Sequence, residues 1–555
     1  MSDDSAPVRS PSGLDRPSEP VLIVGAGPVG MTAALLLARR GVSSILLDQA
    51  DGPSAVGSRS ICQQRDVLDV WEEIGIGRQL ARQGITWRTA RTFLGERELF
   101  AMQLPDDGSS RFPPFVNLPQ SATEAALADA VAAEGRIERR LVAATEVSSQ
   151  GERAVVAGRD ADGDGVELSA PWAVLATGAH SGELRRQLGV DFPGHSYDDL
   201  FLICDVRIPE AAHRGWERER RFYFDPPWNP GRQVLIHPQP EGVLRIDWQV
   251  DRSFDLELER RTGALDRRIR RILEDLDYEL VWSSVYRFHG RCASRLRAGR
   301  FLLAGDCAHL MAPFGARGLN SGVHDAENLA WKLALVLRGE APETLIDSYD
   351  AERRAAALEN LRVTERTMRF LVPHSAAERR HRERTLEAAR SDPAHRAEVD
   401  SGRLYQPFAY RDSPLTTPEL GDPPGRLQAG DLLPDLVLED GRALRSIARQ
   451  GWLVVVHGDL PLDIEALAAA CGARLRVLRV EARSGATEGS TVETGLSASE
   501  VLCPALGLGQ GDALVARPDA HVAGFVRCRA GAADGRALPE LLVPIVRRGL
   551  GHPVG

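Results

Sequence analysis

Short apolar runs alternate with helix-length amphipathic stretches in the first part of the chain, and this order predicts an α/β fold. The first run, Val21 to Val24, leads through Gly25-x-Gly27-x-x-Gly30 into a helical stretch from Met31 to Arg40. A second apolar run, Ser44 to Leu47, ends at Asp48. The pattern therefore predicts a βαβ unit with a glycine-rich turn.

The glycine turn of this unit predicts a dinucleotide site. Gly25 permits the tight turn, Gly27 lets the backbone approach a pyrophosphate, and Gly30 lets helix and strand pack closely. The helix N-terminus near Pro28 favours the negative charge of phosphates, and Asp48 suits a ribose hydroxyl. The motif by itself leaves NAD and FAD open.

A second segment, far along the chain, favours FAD. The apolar strand Phe301 to Ala304 delivers Asp306 to its carboxyl end, where open α/β sheets bind ligands, so this acid can hold a ribityl hydroxyl. The loop Pro313 to Asn320 can lie against a flat ring, and the N-terminus of the next helix, Val323 to Leu337, can stabilise negative charge on a reduced flavin. The loop residues expected to contact the cofactor are Gly315, Gly318, Leu319 and Asn320.

At these motifs the chain resembles the class A flavin-dependent aromatic monooxygenases, the group of para-hydroxybenzoate hydroxylase, phenol hydroxylase and 3-(3-hydroxyphenyl)propionate hydroxylase. Gly25, Gly27 and Gly30 fall on the family's first FAD motif, and Gly305-Asp306 fall on its second. The resemblance covers roughly residues 20 to 405 closely and the remainder loosely. It implies that the cofactor is FAD.

Further site residues are assigned through this resemblance. Arg59, in GSRSICQQRDVLDVWEEIGI, and Gln120, in NLPQSATEAAL, sit where family members contact the flavin or its ribityl and phosphate groups. Gly178-Ala179 replaces an Asp-Gly turn that the family associates with both flavin and NAD(P)H binding, so the usual nicotinamide contact is open here. Arg185 keeps the family's arginine position, with a solvated helix-surface charge as the alternative.

Composition narrows the class of protein. The 555 residues, 43% hydrophobic and 26% charged, suffice for more than one core. A net charge of −10 with dispersed arginines disfavours a nucleic-acid partner. Seven cysteines without CxxC or metal-ligand spacing indicate reduced thiols in a cytoplasmic protein without a bound metal. With no signal-peptide pattern and no apolar run of about 18 residues, no membrane span is expected.

The predicted architecture is a glutathione-reductase-type FAD-binding Rossmann domain with an inserted antiparallel-sheet substrate domain and a C-terminal thioredoxin-like domain. The last domain resembles that of phenol hydroxylase in the order of its elements, lacks CxxC, and is expected to be structural or dimer-forming. Its predicted elements are the strand Trp452 to His457, the helix Asp463 to Ala470, the strand Leu475 to Val480 and the hairpin Ala513 to Val526. The expected boundaries are a disordered tail at 1–19, FAD-binding parts at 20–189 and 291–404, the substrate domain at 190–290, a linker at 405–430 and the C-terminal domain at 431–555.

Alternating segments predict the strands of the substrate sheet, which in the family roofs the flavin. Among its polar residues, His237, Asp247 and Tyr223 are the candidates for taking a substrate proton, because alternation places Asp247 and Gln249 on one face. Pro313, the first residue of the flavin loop, is a further candidate for the catalytic site. The predicted strands are Leu200 to Val206, Arg221 to Phe224, Gln233 to Ile236, Val243 to Val250 and Trp282 to Phe288.

The resemblance implies a monooxygenase that hydroxylates an aromatic, phenolic substrate through a flavin C4a-hydroperoxide, using O₂ and NADPH or NADH. Since only one complete GxGxxG is present, the nicotinamide is expected to bind transiently. A halogenase is disfavoured because no tryptophan stands two residues before another. Two alternatives stay open: an epoxidase or Baeyer–Villiger oxygenase on a polyketide-like substrate, and a catalytically silent flavin-binding protein. The expected partners are a small aromatic substrate and a second copy in a homodimer.

Overall fold

The computed structural model describes residues 19–52, 60–104, 106, 108, 110–209, 215–419, 427–438, 440–458, 462–480, 493–494, 501–527 and 538–552. The strands among these residues are β1 Val21–Val24, β2 Ser44–Asp48, β3 Cys62–Gln64, β4 Thr89–Leu94, β5 Arg97–Gln103, β6 Phe115–Asn117, β7 Ile137–Gln150, β8 Arg153–Asp160, β9 Gly165–Ala170, β10 Ala173–Leu175, β11 Gly194–Arg207, β12 Glu219–Phe224, β13 Gln233–Pro238, β14 Val243–Val250, β15 Glu279–Cys292, β16 Arg297–Ala298, β17 Phe301–Leu303, β18 His309–Leu310, β19 Trp452–His457, β20 Leu475–Val480, β21 Glu493–Thr494, β22 Ala513–Ala516 and β23 Val522–Val526. The helices are α1 Pro28–Arg39, α2 Arg65–Glu72, α3 Gly77–Gln83, α4 Gln120–Ala133, α5 Gly182–Gln187, α6 Leu256–Arg261, α7 Ala264–Leu273, α8 Arg317–Leu337, α9 Asp347–Leu371, α10 Ala376–Ser391, α11 Leu444–Arg449, α12 Ile464–Cys471, α13 Leu502–Leu506 and α14 Leu538–Gly549.

The first sheet carries both cofactor motifs. Its order is β16-β17-β10-β1-β2-β7-β8-β9, and the five strands from β17 to β7 run parallel. Every residue of β1 is buried, as expected of a parallel strand that is covered on both faces. The predicted βαβ unit is confirmed, although α1 begins at Pro28 rather than Met31, since proline is well suited to the first helical position. The two predicted motifs thus follow β1 and β17 of one sheet.

The second sheet has the order β18-β15-β11-β14-β13-β12-β4-β5 and is antiparallel except for the pair β12 and β4. The five predicted strands are confirmed as β11 to β15, most of them with longer ends. Strands β4, β5 and β18 join them from outside residues 190–290. The sheet therefore extends beyond the expected boundaries. The sequence could not predict this, because alternation along one strand does not reveal a partner strand far away in sequence.

The helix after the second motif begins earlier than the sequence indicated. Helix α8 starts at Arg317, so Gly318, Leu319 and Asn320 form its first turn instead of a loop. Ala316 precedes it with a left-handed φ of 55°. The apolar pattern placed the start at Val323 because a glycine in the first turn is a poor helix former and hides the periodicity.

The described C-terminal residues form a third sheet with the order β21-β20-β19-β22-β23. Strands β19 and β20 are parallel, and β22 and β23 form the predicted hairpin. The predicted linker has no helix or strand among its described residues, yet Tyr405, Tyr410 and Leu415 are buried, so this segment packs against its neighbours. Residues 1–18 of the predicted tail and Cys528 lie outside the described residues. None of the described helices is both long and apolar enough to cross a membrane.

A buried ion cluster joins the C-terminal sheet to the cofactor-binding part. Arg517 and Asp519 lie between β22 and β23, and Arg517 donates hydrogen bonds to Asp519 and to Glu352 on α9. Lys332 on α8 donates to the same Glu352 over 2.6 Å, and Trp331 donates to Asp519 over 3.1 Å. All five side chains are almost completely buried. Helices α8 and α9 are therefore held to the hairpin turn by charged hydrogen bonds.

We expect Glu352→Gln to lower the free energy of unfolding by roughly 3–5 kcal/mol, because Lys332 and Arg517 would keep their buried charges and lose their shared carboxylate. A matched control on the same helix is Glu365→Gln, which removes an exposed pair with Arg369 worth about 0.5 kcal/mol or less. Urea unfolding followed by circular dichroism measures both variants. Equal free energies of unfolding would contradict the role assigned to the cluster.

Candidate active site

The three glycines of the first motif have different surroundings, and those of Gly25 and Gly30 fit the turn and the close packing that the sequence predicted. Gly25 has a φ of 106°, and a Cβ atom there would lie 2.4 Å from the carbonyl oxygen of Ala176. A Cβ atom on Gly30 would lie 1.9 Å from the oxygen of Gly25, so α1 and β1 approach at that point. Gly27 has nothing within 4 Å of its Cβ position and borders a cavity. The open side of Gly27 leaves room for a phosphate at the N-terminus of α1.

Asp48 and Gln120 border the same cavity. The Asp48 carboxylate accepts hydrogen bonds from the backbone amides of Ala26, at 2.6 Å, and Ala50, at 2.9 Å. Carboxylate oxygens accept more than one bond each, so Asp48 keeps capacity for a ribose hydroxyl. Gln120 begins α4, and its Oε1 accepts from the Ser60 amide over 3.2 Å. Arg59 lies outside the described residues.

The second motif is held by a buried acid that the sequence analysis missed. The carboxylate of Asp325, on α8, accepts hydrogen bonds from the Gly305 amide at 3.0 Å, His309 Nε2 at 2.7 Å and Arg353 Nε at 2.7 Å. Burial alone would raise the pKa of Asp325, but His309 and Arg353 outweigh it and hold that pKa well below its usual range. Asp306, in the turn that this carboxylate fixes, borders the cavity. An acid inside a largely apolar helix is the signal that could have revealed it.

The flavin loop also borders the cavity, through Pro313, Gly315, Gly318 and Leu319. Gly315 has a φ of 86°, and a Cβ atom there would lie 2.0 Å from the carbonyl oxygen of Arg403. The oxygen of Gly315 accepts a hydrogen bond from the Tyr405 amide over 2.8 Å. The segment predicted as a linker therefore helps to shape the flavin loop.

The side chain of Asn320 has a different place from the one expected. Its Oδ1 accepts from the Gln64 amide and its Nδ2 donates to the Cys62 oxygen, both at 2.9 Å. These bonds fasten β3 to the first turn of α8. The Asn320 side chain is fully buried and is not among the residues that border the cavity, so its contact with the cofactor stays a prediction. The apparent loop position was the reason for that assignment, and the residue is helical.

The altered Asp-Gly turn lies at the cavity, and the nearby arginine does not. Gly178 has a φ of 71° with open space at its Cβ position, and it borders the cavity together with Ala179. Arg185 is buried, donates to the Cys307 carbonyl over 3.0 Å and lies 3.9 Å from the ring centre of Phe192. The alternative of a solvated surface charge was therefore wrong. Arg185 supports the turn that carries Asp306.

The cavity, of about 2630 Å³, continues from the two motifs to the second sheet and includes Asp247 and His237 in its wall. Oδ1 of Asp247 and Nδ1 of His237 are buried and have no hydrogen-bond partner among the described residues. Burial raises the pKa of Asp247 to about 7, against the opposing effect of Arg245. Burial and the charges of Arg220 and Arg245 hold the pKa of His237 well below its usual range. Asp247 is therefore suited to exchanging a proton near neutral pH.

Tyr223 faces away from this cavity, which corrects its place among the catalytic candidates. It pairs with Val234, and Val234 with Trp248, so these three residues share the far face of the sheet. Its ring stacks on Phe93 with 4.4 Å between centroids and belongs to the core on that side. Burial raises its pKa. The prediction compared residues of different strands without knowing their register.

An aromatic group on the cavity wall was also missed. Phe201 and Phe288 stack with 4.4 Å between ring centroids, and Phe314 of the flavin loop meets both rings edge-on at 5.7 and 5.9 Å. Tyr286 borders the cavity beside them. Aromatic side chains are the usual lining of a pocket for an aromatic ligand. Strand alternation places them on this face, but a sequence pattern alone does not say which face is the cavity.

The chain belongs to the family described as FAD binding domain, whose profile matches residues 18–364. A 3-(3-hydroxy-phenyl)propionate/3-hydroxycinnamic acid hydroxylase of Mycobacterium sp. strain KMS is 28% identical over 411 residues, which cover 73% of this chain and 68% of the relative. A flavin-dependent monooxygenase of Mycobacteroides abscessus is 29% identical over 449 residues, covering 77% of this chain and 86% of the relative. The predicted relationship to the class A flavin-dependent monooxygenases is confirmed.

Solved structures share the fold over almost the whole chain. The flavin-dependent monooxygenase PieE, in complex with FAD and substrate, has a TM-score of 0.78 at 22% identity, covering 96% of this chain and 99% of its own. Aklavinone-11 hydroxylase, in a ternary complex with FAD and aklavinone, has a TM-score of 0.75 at 22% identity, covering 97% and 100%. The family and the open backbone at Gly27 and Gly318 together support FAD as the cofactor.

We expect Gly27→Ala to fold normally and to bind FAD at least about tenfold more weakly, because the added methyl group enters the space beside the phosphates. Gly182→Ala is the matched control, since Gly182 also lies at a helix N-terminus with open space at its Cβ position and lies outside the cavity. Fluorescence titration of the apoprotein with FAD gives both dissociation constants. An unchanged constant for Gly27→Ala would argue against phosphate binding at this turn.

Proposed function

We propose that the protein is an FAD-dependent, NAD(P)H-consuming monooxygenase that hydroxylates a phenolic aromatic substrate. The observation that carries this proposal is the continuity of one cavity from both FAD motifs to Asp247, a carboxyl group with a pKa of about 7 on the opposite wall. A relative named as a hydroxylase of 3-(3-hydroxyphenyl)propionate supports the substrate class.

FAD, when bound, reduced by NAD(P)H and supplied with O₂, provides one electrophilic oxygen atom. One oxygen atom of O₂ enters the aromatic C–H bond and gives C–OH. The two electrons of NAD(P)H reduce the second oxygen atom, which leaves as water. The protein's part is to hold the ring and to exclude water, for which Phe201, Phe288 and Phe314 are placed. Asp247 would accept the phenolic proton, which makes the ring carbon more nucleophilic.

The nicotinamide would bind transiently near the altered turn. Gly178 stands where relatives of this class carry an aspartate, so the backbone rather than a carboxylate faces the cavity there. The described residues contain one glycine motif of the dinucleotide type, and one cavity borders both FAD motifs. We therefore assign no separate nicotinamide domain and leave NADH and NADPH as equal candidates.

A second candidate substrate class is a larger polycyclic phenol. The volume of the cavity is larger than the roughly 300–1,000 Å³ of most small-molecule pockets, and both FAD and the substrate must fit into it. Aklavinone-11 hydroxylase, by its name, acts on aklavinone, and it shares this fold. Epoxidation or Baeyer–Villiger oxygenation would use the same scaffold. Product mass and position of the new oxygen distinguish these reactions.

We also propose that the C-terminal sheet is a thioredoxin-like domain with a structural role. Its strand order, with β19 and β20 parallel and the β22–β23 hairpin on the other side, supports this assignment. Its described cysteines, Cys471 and Cys503, are buried and unpaired by disulfides. A homodimer and a cytoplasmic location remain predictions.

The function is tested by purifying the protein, identifying the released flavin, and screening phenols, aromatic acids and polycyclic phenols for faster NAD(P)H oxidation. The proposal requires FAD, a substrate-stimulated rate and a product heavier by one oxygen atom. Bound FAD with no stimulated NAD(P)H oxidation by any tested class would favour the catalytically silent flavin-binding protein.

We expect Asp247→Asn to retain FAD, to form product about 10²- to 10⁴-fold more slowly, and to release more hydrogen peroxide per NAD(P)H. Because the pKa of Asp247 is raised to about 7, its proton-accepting carboxylate form prevails above that pH, so wild-type product formation should rise with pH through about 7. The variant should lose this rise. Tyr223→Phe, on the far face of the sheet, is the control and should keep wild-type coupling. Wild-type coupling in Asp247→Asn would remove Asp247 from the mechanism.

A further inference from the structure

Exposed arginines mark the mouth of the cavity, although the whole protein carries a net charge of −10. Helix α9 presents Arg362, Arg366 and Arg369, whose helical spacing places them on one face. All three border the cavity, and their side chains are between 58% and 66% exposed. Arg396 and Arg403 border it from the segment after α10, and both are exposed. We call these five residues the mouth arginines.

Two of the mouth arginines pair with carboxylates on α9 itself. Arg362 pairs with Glu359 and Arg369 pairs with Glu365, each at 2.7 Å. Both arginines are exposed and neither carboxylate is buried, so the two pairs are screened by solvent and contribute little stability. These guanidinium groups can therefore turn towards another anion at small cost.

Arg366 and Arg403 have weaker or no acidic partners. Arg366 lies 3.6 Å from a carboxylate oxygen of Asp400, which is longer than a charge-assisted hydrogen bond. That carboxylate already accepts hydrogen bonds from the Thr367 hydroxyl, at 3.0 Å, and from the Gly402 amide, at 3.1 Å. Within the described part of the chain, Arg403 is in ion-pair contact with no carboxylate. Arg366 and Arg403 are therefore the cations best placed to bind an anion.

Two further carboxylates that border the cavity here have other partners. Glu378 accepts hydrogen bonds from the backbone amides of His374 and Ser375, both at 3.0 Å. Glu398 bonds to His395 over 2.8 Å. An anion at the mouth thus meets guanidinium groups that these two acids do not neutralise.

The mouth lies beside the flavin loop. The carbonyl oxygen of Arg403 accepts a hydrogen bond from Arg317, at 3.0 Å, and lies 2.0 Å from the Cβ position of Gly315. Gly402 lies against Phe314, where an added Cβ atom would be 3.1 Å from the Phe314 side chain. A dinucleotide bound at Arg403 is therefore next to the loop that is expected to hold the flavin ring.

We propose that Arg366 and Arg403 bind the 2′-phosphate of NADPH, which makes NADPH rather than NADH the reductant. This inference rests on the proposed function and names its electron donor. Guanidinium groups bind phosphate oxygens through charge-assisted hydrogen bonds, often two at a time. NADH lacks the 2′-phosphate and would leave both arginines without an anion. Arg362 and Arg369, on the same face of α9, add electrostatic attraction for the phosphates.

The test measures binding of 2′,5′-ADP, 5′-AMP and inorganic phosphate to the FAD-loaded protein by isothermal titration calorimetry. The wild type should bind 2′,5′-ADP at least about tenfold more tightly than 5′-AMP. Arg366→Gln and Arg403→Gln should each weaken binding of 2′,5′-ADP by about tenfold and leave 5′-AMP nearly unchanged. Inorganic phosphate that binds as tightly as 2′,5′-ADP would show a simple anion site and overturn the nucleotide assignment.

Arg384→Gln is the matched control, since Arg384 is exposed on the neighbouring helix α10 and is not among the residues that border the cavity. It removes the same charge and should bind 2′,5′-ADP like the wild type. Equal weakening in Arg384→Gln and Arg366→Gln would show a general effect of net charge, which contradicts the site. Equal binding of 2′,5′-ADP and 5′-AMP by the wild type would overturn the proposal whatever the variants do.

Turnover separates this inference from the proposed function. With a phenol that stimulates NADPH oxidation, kcat/KM for NADPH should fall about tenfold in Arg366→Gln, and kcat/KM for NADH should stay unchanged. Binding of 2′,5′-ADP that depends on Arg366 and Arg403, without any substrate-stimulated NAD(P)H oxidation, would support the site and contradict the hydroxylase. Hydroxylation that uses NADH and NADPH equally well in the wild type and in both variants would support the hydroxylase and contradict the site.

Discussion

The carboxylate of Asp325 is the constraint on which the cofactor site depends. It accepts hydrogen bonds from a backbone amide of the second FAD motif, from His309 and from Arg353, so one buried charge joins the turn, β18, α8 and α9. Removing it would leave a buried guanidinium and a buried amide without their acceptor, which costs several kcal/mol. The first motif is coupled to the same place, because Val29 of α1 lies against Gly305 and Gly322, where added Cβ atoms would be 3.0 and 2.6 Å from it.

From Arg353 the polar contacts continue into the C-terminal sheet. Arg353 donates to the Tyr410 hydroxyl at 2.9 Å, and the ring of Tyr410 lies 4.3 Å from that of His521, next to the hairpin turn. Its chain neighbour Glu352 meets Arg517 from the same turn. The C-terminal part thus contributes no side chain to the described cavity wall beyond Asp435 and Arg445, yet it supports both helices behind the flavin loop. The C-terminal sheet is thereby connected to the helices that carry Asp325 and Arg353.

The sequence predicted features within one βαβ unit, but it did not predict which side chains of different elements would contact one another. The tight turn at Gly25 and the close packing at Gly30 follow from requirements within one βαβ unit, so the structure reproduces both. Asp325 escaped prediction because its three partners lie on other elements, 16, 20 and 28 residues away, and only the packing of α8 against those elements brings them together. Tyr223 was misplaced for a related reason: alternation tells which residues of one strand share a face, whereas only the register with the next strand tells which face meets the cavity.

The pairing of Arg245 with Asp205 affects the charge beside Asp247 on the cavity wall. If Arg245 turned instead to Asp247, two residues away on its own strand, the nearby charge would lower the pKa of Asp247 and keep it ionised and weakly basic. Because Asp205 holds Arg245, the effect of burial prevails and the pKa of Asp247 rises to about 7. One buried ion pair therefore lies beside a carboxyl group of raised pKa on the cavity wall, and burial rather than the neighbouring guanidinium sets the direction of that shift.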